Sequence, residues 1–197
     1  MKNQQTLTKI SRAILLLGGI ALLTVIVLPI WRIELIAPQY PEGLELLIYS
    51  NKLEGQVDII NGLNHYIGMK VLRAEDFIEF TILPYIIAAY SAIFILAGIL
   101  NRRKALYWTF GLFVLFGAVA MVDFYIWLYE YGHNLDPNAA IQVPGMAYQP
   151  PLLGYKQLLN FLAFSIPDVG GWIFIGVGVA VAYAVFVEWR KARTLST

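Results

Sequence analysis

The residues of this chain that could ligate a metal ion are few. It has two histidines, His65 and His133, and each has a methionine downstream, Met69 and Met146. On an α-helix, a spacing of four residues places the His65 imidazole and the Met69 thioether on one face. Imidazole with thioether is a soft, uncharged ligand set that suits Cu(I) better than Mg²⁺ or Ca²⁺. We therefore hypothesise a copper site at His65 and Met69, completed by His133 and Met146 where their segments meet.

The same four side chains also have an ordinary structural interpretation. Methionine commonly fills gaps against aromatic rings, and a histidine at an interface commonly hydrogen-bonds a backbone carbonyl. Gly68, one residue before Met69, weakens the assumption of a continuous helix. The metal site and the structural interpretation therefore both stay open, and no catalytic residue is assigned.

Asp123 is an ionisable residue well inside an apolar segment. Such residues are costly in a membrane and suggest a function. Asp123 could support a metal site by holding a histidine ligand in one tautomer. The alternative is an ion pair with Arg32 or Arg73, a hydrogen bond with a tyrosine hydroxyl, or contact with the membrane interface.

The composition is that of a membrane protein. Among 197 residues, 59% are hydrophobic and 14% are charged, against roughly 45–50% and 25% in soluble domains. The chain has no cysteine, which excludes disulfides, zinc–thiolate sites, iron–sulfur clusters and a cysteine nucleophile. The basic residues are too few and too scattered for a nucleic-acid partner.

Four apolar segments, 13–30, 81–100, 107–129 and 172–189, reach the length that a bilayer requires. Backbone polar groups cannot stay unpaired in lipid, so each segment should be a helix. The sequence thus predicts an all-α membrane protein, a single integral domain over 1–197. It would have four transmembrane helices and a cap formed by two long extracytoplasmic loops, 31–80 and 130–171.

The charges predict how these helices are oriented. Lysine and arginine accumulate in cytoplasmic loops and tails. Nine basic residues fall on one side of a four-helix topology: Lys2, Lys9, Arg12, Arg102, Arg103, Lys104, Arg190, Lys191 and Arg193. We therefore expect a multi-pass protein of the bacterial inner membrane, with both termini cytoplasmic and the cap facing outward.

Three stretches of the cap have recognisable patterns. Residues 44–49 predict one strand or an interfacial turn. Residues 57–72 carry apolar side chains near helical spacing and predict a short amphipathic helix or a broken helix at the membrane surface. Residues 158–166 are apolar but too short to cross, which favours another interfacial segment.

Several long motifs in the cap resemble those of a known family. They are APQYPEGL at 37–44, VDIINGLNHYIGMK at 57–70, YGHNLDPN at 131–138, VPGM at 143–146 and QPP at 149–151. They are similar to an uncharacterised family of small four-helix bacterial membrane proteins found in nitrous-oxide-reductase gene clusters, beside maturation and copper-delivery genes. The resemblance covers almost the whole chain. It implies a copper context on the outer side of the membrane and carries over no catalytic residues.

The leading hypothesis is an accessory protein of denitrification that handles copper or assists assembly of a periplasmic nitrous oxide reductase. Its partners would be the lipid bilayer and a periplasmic or membrane protein, with copper as the cofactor. The alternative is a structural subunit without metal that docks a partner complex through its outer loops. An enzyme acting on a lipid or quinone, with His65 or His133 as base, is less favoured because the sequence shows no partner for the base.

Overall fold

The structure is a computed structural model that describes residues 6–194, so the predicted cytoplasmic Lys2 lies outside the described residues. Its five α-helices are α1 (Lys9–Thr24), α2 (Val57–Ile67), α3 (Ile78–Leu100), α4 (Arg103–His133) and α5 (Val169–Thr194). Its five strands are β1 (Trp31–Ala37), β2 (Tyr40–Ile48), β3 (Leu53–Gly55), β4 (Gly154–Leu158) and β5 (Phe161–Pro167). Single 3₁₀ turns extend α1 over Val25–Val27 and precede α3 at Ala74–Asp76.

Four helices are long and apolar enough to cross a membrane: α1 with its 3₁₀ extension, α3, α4 and α5. They form a ring in which α1 and α4 each pack against both α3 and α5. Large buried side chains, such as Leu15, Phe94 and Val181, fill the centre of this bundle. The four predicted membrane segments are therefore confirmed as long apolar helices.

The prediction of an all-α protein is wrong. The two cap segments form one five-stranded antiparallel sheet, in the order β3-β2-β1-β5-β4. Its central pair, β1 with β5, joins residues more than a hundred positions apart, with Trp31 opposite Pro167 and Ile36 opposite Leu162. The residues of β1 explain why a strand forms here. Trp31 and Ile33 are buried on one face and Arg32 is directed to the other. This two-residue period is typical of a strand that buries one face of a sheet.

The structure forms a strand at the first cap pattern and a helix over the first eleven residues of the second, while the predicted place at the membrane surface stays a prediction. Residues 44–49 fall largely within β2, and residues 57–67 form α2. Residues 158–166 comprise the end of β4, the turn Leu159–Asn160 and most of β5, and their predicted place at the membrane interface stays a prediction. Their apolar side chains are directed into the sheet core, where Ala163 is fully buried, and toward the opposite sheet face.

The sheet is fixed directly on the helix bundle. Gly170 and Gly171 begin α5 against the chain that leaves α1, and the Gly170 N–H donates to the Pro29 carbonyl at 2.8 Å. A Cβ on Gly171 would lie only 2.4 Å from the Ile30 carbonyl oxygen. A glycine is therefore required where the first residues of α5 touch the start of β1.

The ends of the helices away from the cap are also tied together. Glu188 of α5 is fully buried and accepts hydrogen bonds from the Thr8 N–H at 2.6 Å and from Arg103 Nε at 3.0 Å. Thr8 in turn caps α1, since its hydroxyl accepts from the Ser11 N–H. This buried ion pair links the starts of α1 and α4 to the last turns of α5, and we assign it a structural role.

Candidate functional site: an apolar cavity in the cap

A cavity of about 340 Å³ lies inside the cap. One face of the sheet, α2, the last turns of α4 and the segment that follows α4 surround it. The cavity adjoins a second hydrophobic core, separate from that of the bundle, which contains Trp31, Ile33, Leu46, Ile60 and Leu128. Each wall is held in place by specific contacts.

The sheet contributes the inward side chains of its alternating strands. Ile33 and Leu35 of β1 and Leu46 of β2 line the cavity. Trp31, one step closer to the bundle, is fixed because its Nε1–H donates to the Ser165 hydroxyl at 2.8 Å. This bond satisfies the N–H group of a buried indole. The apolar wall therefore contains no unpaired polar atom at Trp31.

Helix α2 forms the facing wall through Ile60, Leu63 and Asn64. The helix ends at Gly68, which adopts the left-handed conformation with φ +79°. A glycine there is the usual end of a helix because a Cβ is unfavourable at positive φ. The amide of Asn61 then holds the returning chain, donating to the Leu72 carbonyl and accepting from the Leu72 N–H.

The third wall is the cap end of α4. With 31 residues, α4 extends for about 46 Å at ~1.5 Å per residue, whereas a bilayer core is about 30 Å thick. The surplus allows Trp127, Leu128 and Tyr131 to line the cavity. The Tyr131 hydroxyl donates to the Val71 carbonyl at 3.1 Å and so ties α4 to the segment between α2 and α3.

The chain after α4 closes the cavity. Asp136 and Ile141 donate their N–H groups at 2.8 Å to the carbonyls of Gly68 and Tyr66, at the end of α2. Tyr148 donates its N–H to the Gly132 carbonyl, also at 2.8 Å. These bonds hold Ile141 and Tyr148 in the cavity wall.

The wall carries few polar groups and no formal charge. Among the described residues that line the cavity, the side chains with amides are Gln39, Asn64 and Asn160. Tyr148 is 3% exposed, and its buried hydroxyl makes no hydrogen bond with any residue between 6 and 194. The cavity therefore suits an apolar molecule that carries little or no charge.

The structure places His65 within α2 and Met69 beyond the end of that helix. His65 lies on the exposed side of α2, with its ring against Tyr66. Met69 follows the end of the helix at Gly68 and lines the cavity. The helical spacing that would place them on one face does not hold here, because the chain leaves the helix between them.

The second pair of predicted ligands lies at the end of α4 and in the segment that follows it. His133 is the last residue of α4; it is exposed, stacks on the Tyr129 ring at 3.9 Å and has its Nδ1 2.9 Å from the Tyr129 carbonyl oxygen. Met146 is half-buried in the turn that follows Val143. Within the described range, no three histidine, aspartate or glutamate side chains are grouped to hold a metal ion. The copper ligands stay a prediction.

Asp123 lies at an exposed position of α4. Its support of a metal site and its contact with the membrane interface both stay predictions.

Sequence reasoning missed the cavity because its walls come from four separated stretches of the chain. One signal was present: apolar residues recur on β1 with a two-residue period and on α2 near a helical period. Two amphipathic elements of different type in one cap imply a core between them.

No protein family model, curated protein or solved structure matches the chain.

Proposed function

We propose that this protein is a membrane-anchored binding protein that holds an apolar molecule in the cavity of its cap. The observation that carries the proposal is the cavity of about 340 Å³, which is lined mostly by apolar residues and adjoins a hydrophobic core. Its volume lies in the range of small-molecule sites, about 300–1,000 Å³. An engineered apolar cavity of ~150 Å³ already binds benzene.

The energetics of packing support this proposal. Protein cores are packed nearly as densely as organic crystals, and empty volume in a core lowers stability. Hydrogen bonds made by Tyr131, Asn61 and the segment 134–150 fix the walls in their positions. A bound apolar molecule would restore the contacts that the walls cannot make with one another.

The position of α4 supports a ligand that comes from lipid. The helix that lines the cavity with Trp127 and Leu128 is also long and apolar enough to cross a membrane. Tyr66 and Ile141, at the edge of the cavity, are 56% and 47% exposed. An apolar molecule could therefore move between the bilayer and the cap over an apolar surface.

The test uses prodan, an uncharged fluorophore whose emission reports the polarity around it, with protein in lipid nanodiscs and empty nanodiscs as background. Leu63→Trp places a large ring in the cavity, while Leu162→Trp places the same ring on the opposite sheet face, outside the cavity lining. We expect saturable prodan binding by the wild type and by Leu162→Trp, and its loss in Leu63→Trp. Equal binding by all three proteins would refute the proposal.

We propose copper handling, in support of a periplasmic reductase, as a second candidate function. It is favoured by the hydrogen bonds from Asp136 to Gly68 and from Ile141 to Tyr66, which bring the segment after His133 onto the end of α2. Copper titration of the solubilised protein tests it. The stoichiometry should fall in the double variant His65→Ala, Met69→Ala, and an unchanged stoichiometry would exclude this site.

A further inference from the structure

We infer that the turn Leu159–Asn160, between β4 and β5, is a gate over the mouth of the cap cavity, which the Leu159 side chain covers and the Gln157 amide holds closed. This inference rests on the proposed function and concerns how the same cavity exchanges its ligand. Three features carry it: the place of the turn, the backbone conformation of Leu159 and the hydrogen bonds around the turn.

The first feature is the place of the turn at the mouth of the cavity. Most residues that line the cavity are buried or half-buried. The exposed ones come from four separate parts of the cap: Gln39, Tyr66, Ile141, Leu159 and Asn160. A residue that lines a cavity and is also exposed lies where the cavity meets the surface, so these five residues mark the mouth. Leu159, which is 39% exposed, is therefore partly in the mouth and partly outside it.

The second feature is the backbone of Leu159. Leu158 pairs with Phe161, which leaves two residues for the turn, and Leu159 adopts φ +53°. This left-handed conformation suits glycine and is tolerated by asparagine, but it is unfavourable for a bulky apolar residue. Residues held in such conformations cluster at ligand clamps and switches. The turn alone does not explain a leucine here, whereas an apolar cover over an apolar cavity does.

The third feature is that the turn can move without breaking bonds to the rest of the cap. Among the described residues, no hydrogen bond joins Leu159 or Asn160 to an element outside their own hairpin. The Leu159 carbonyl accepts from the Gln157 side-chain amide at 2.7 Å. Elsewhere at the mouth, Ile141 and Tyr66 share a backbone hydrogen bond of 2.8 Å. The hairpin turn can thus open at little cost, whereas Ile141 and Tyr66 separate only if their bond breaks.

Stopped-flow fluorescence of prodan, with the protein in lipid nanodiscs, measures how fast a ligand enters and leaves. Leu159→Asn provides a residue that tolerates positive φ and removes the apolar cover. Its association rate constant should rise at least about threefold, because binding that requires a conformational change is slow. Leu153→Asn is the matched control and should keep wild-type rates, since Leu153 is 59% exposed and outside the cavity lining.

Two outcomes of this experiment would overturn the inference. The first is an unchanged association rate in Leu159→Asn, even with faster dissociation, because a residue that only contacts the ligand affects its dissociation. The second is an equal rise in Leu159→Asn and Leu153→Asn.

Gln157→Glu tests the gate without changing the cavity lining. Glutamate has nearly the shape of glutamine but no N–H to donate to the Leu159 carbonyl, and Gln157 does not line the cavity. Association and dissociation should both become faster, with the dissociation constant changed by less than about twofold. Wild-type rates in this variant would contradict a gate held by Gln157.

The failure of the gate is distinguishable from that of the proposed function. If the wild type does not bind prodan saturably, or Leu63→Trp binds it equally well, the proposed function fails. If the wild type binds prodan and Leu63→Trp does not, but Leu159→Asn and Gln157→Glu exchange it at wild-type rates, the gate alone fails.

Discussion

At the scale of single residues, Gly132 decides how closely the cap can approach α4. The backbone of Gln149 passes so near that an added Cβ would lie 2.3 Å from its nitrogen. The sequence contains this glycine but cannot reveal its role, because the contact joins segments that no local pattern relates. By contrast, Gly68 already cast doubt on a continuous helix in the sequence, although the apolar pattern continued to residue 72, and α2 ends there.

Gly132→Ala should therefore loosen the closing segment. We expect a loss of about 1–3 kcal/mol, the usual cost of overpacking, and weaker prodan binding, since the shift moves Tyr148. Thermal unfolding in detergent measures the first effect. The control is Gly111→Ala on the same helix, where an added Cβ meets nothing within 4 Å. Equal unfolding temperatures for the two variants would contradict the close contact between Gly132 and Gln149.

The buried ion pair between Arg103 and Glu188 makes a second prediction at this scale. Arg103→Leu should destabilise the protein by about 3–5 kcal/mol, because Glu188 is fully buried and would lose its cation. Adding Glu188→Leu should recover part of this loss, since no isolated charge is then left in the core. Unfolding of the single and double variants measures the coupling, and strictly additive losses would argue against a direct pair.

At the scale of elements, the helices were predictable and the sheet was not. The four long helices follow from apolar runs of bilayer length, a local property. The pairing of β1 with β5 depends on a register between residues on either side of two membrane segments, such as Glu34 opposite Phe164. The short apolar run at 158–166 is compatible with a strand or an interfacial segment, and only the partner strand decides between them.

The absence of native cysteine allows a direct test of the β1–β5 pairing. Glu34→Cys with Phe164→Cys should form a disulfide readily, because directly opposite Cα atoms in an antiparallel pair are about 4.5–5.5 Å apart. Glu34→Cys with Gln157→Cys is the control, since β4 lies two strands from β1. Gel mobility with and without reductant gives the yield. Equal cross-linking in both pairs would contradict the register.

At the scale of the whole molecule, the two ends of the helix bundle differ in charge and in structure. The starts of α1 and α4 and the ends of α3 and α5 meet at one end, where an isolated bridge joins Thr6 to Arg102. Apart from Lys2, which lies outside the described residues, the basic residues that predicted orientation lie at this end of the helices. The sheet and the cavity lie at the other end, so the cap and the basic residues are separated by the length of the four long helices.

The predicted orientation can be tested with cysteine labels that leave every charge in place. Gln157→Cys in β4 and Thr194→Cys at the end of α5 are both at exposed positions. A membrane-impermeant maleimide should label Gln157→Cys in intact cells and Thr194→Cys only after the inner membrane is permeabilised. The opposite pattern would place the cap in the cytoplasm.

The most direct test of the cap as a binding site is to locate a ligand inside it. Crystals grown with a bromine-labelled ten-carbon ketone would show the bromine by its anomalous scattering. The cavity between Leu46, Leu63 and Trp127 should contain one bromine peak, and Leu63→Trp should remove it. Bromine found only along the membrane-facing helices, with this cavity empty, would contradict the account.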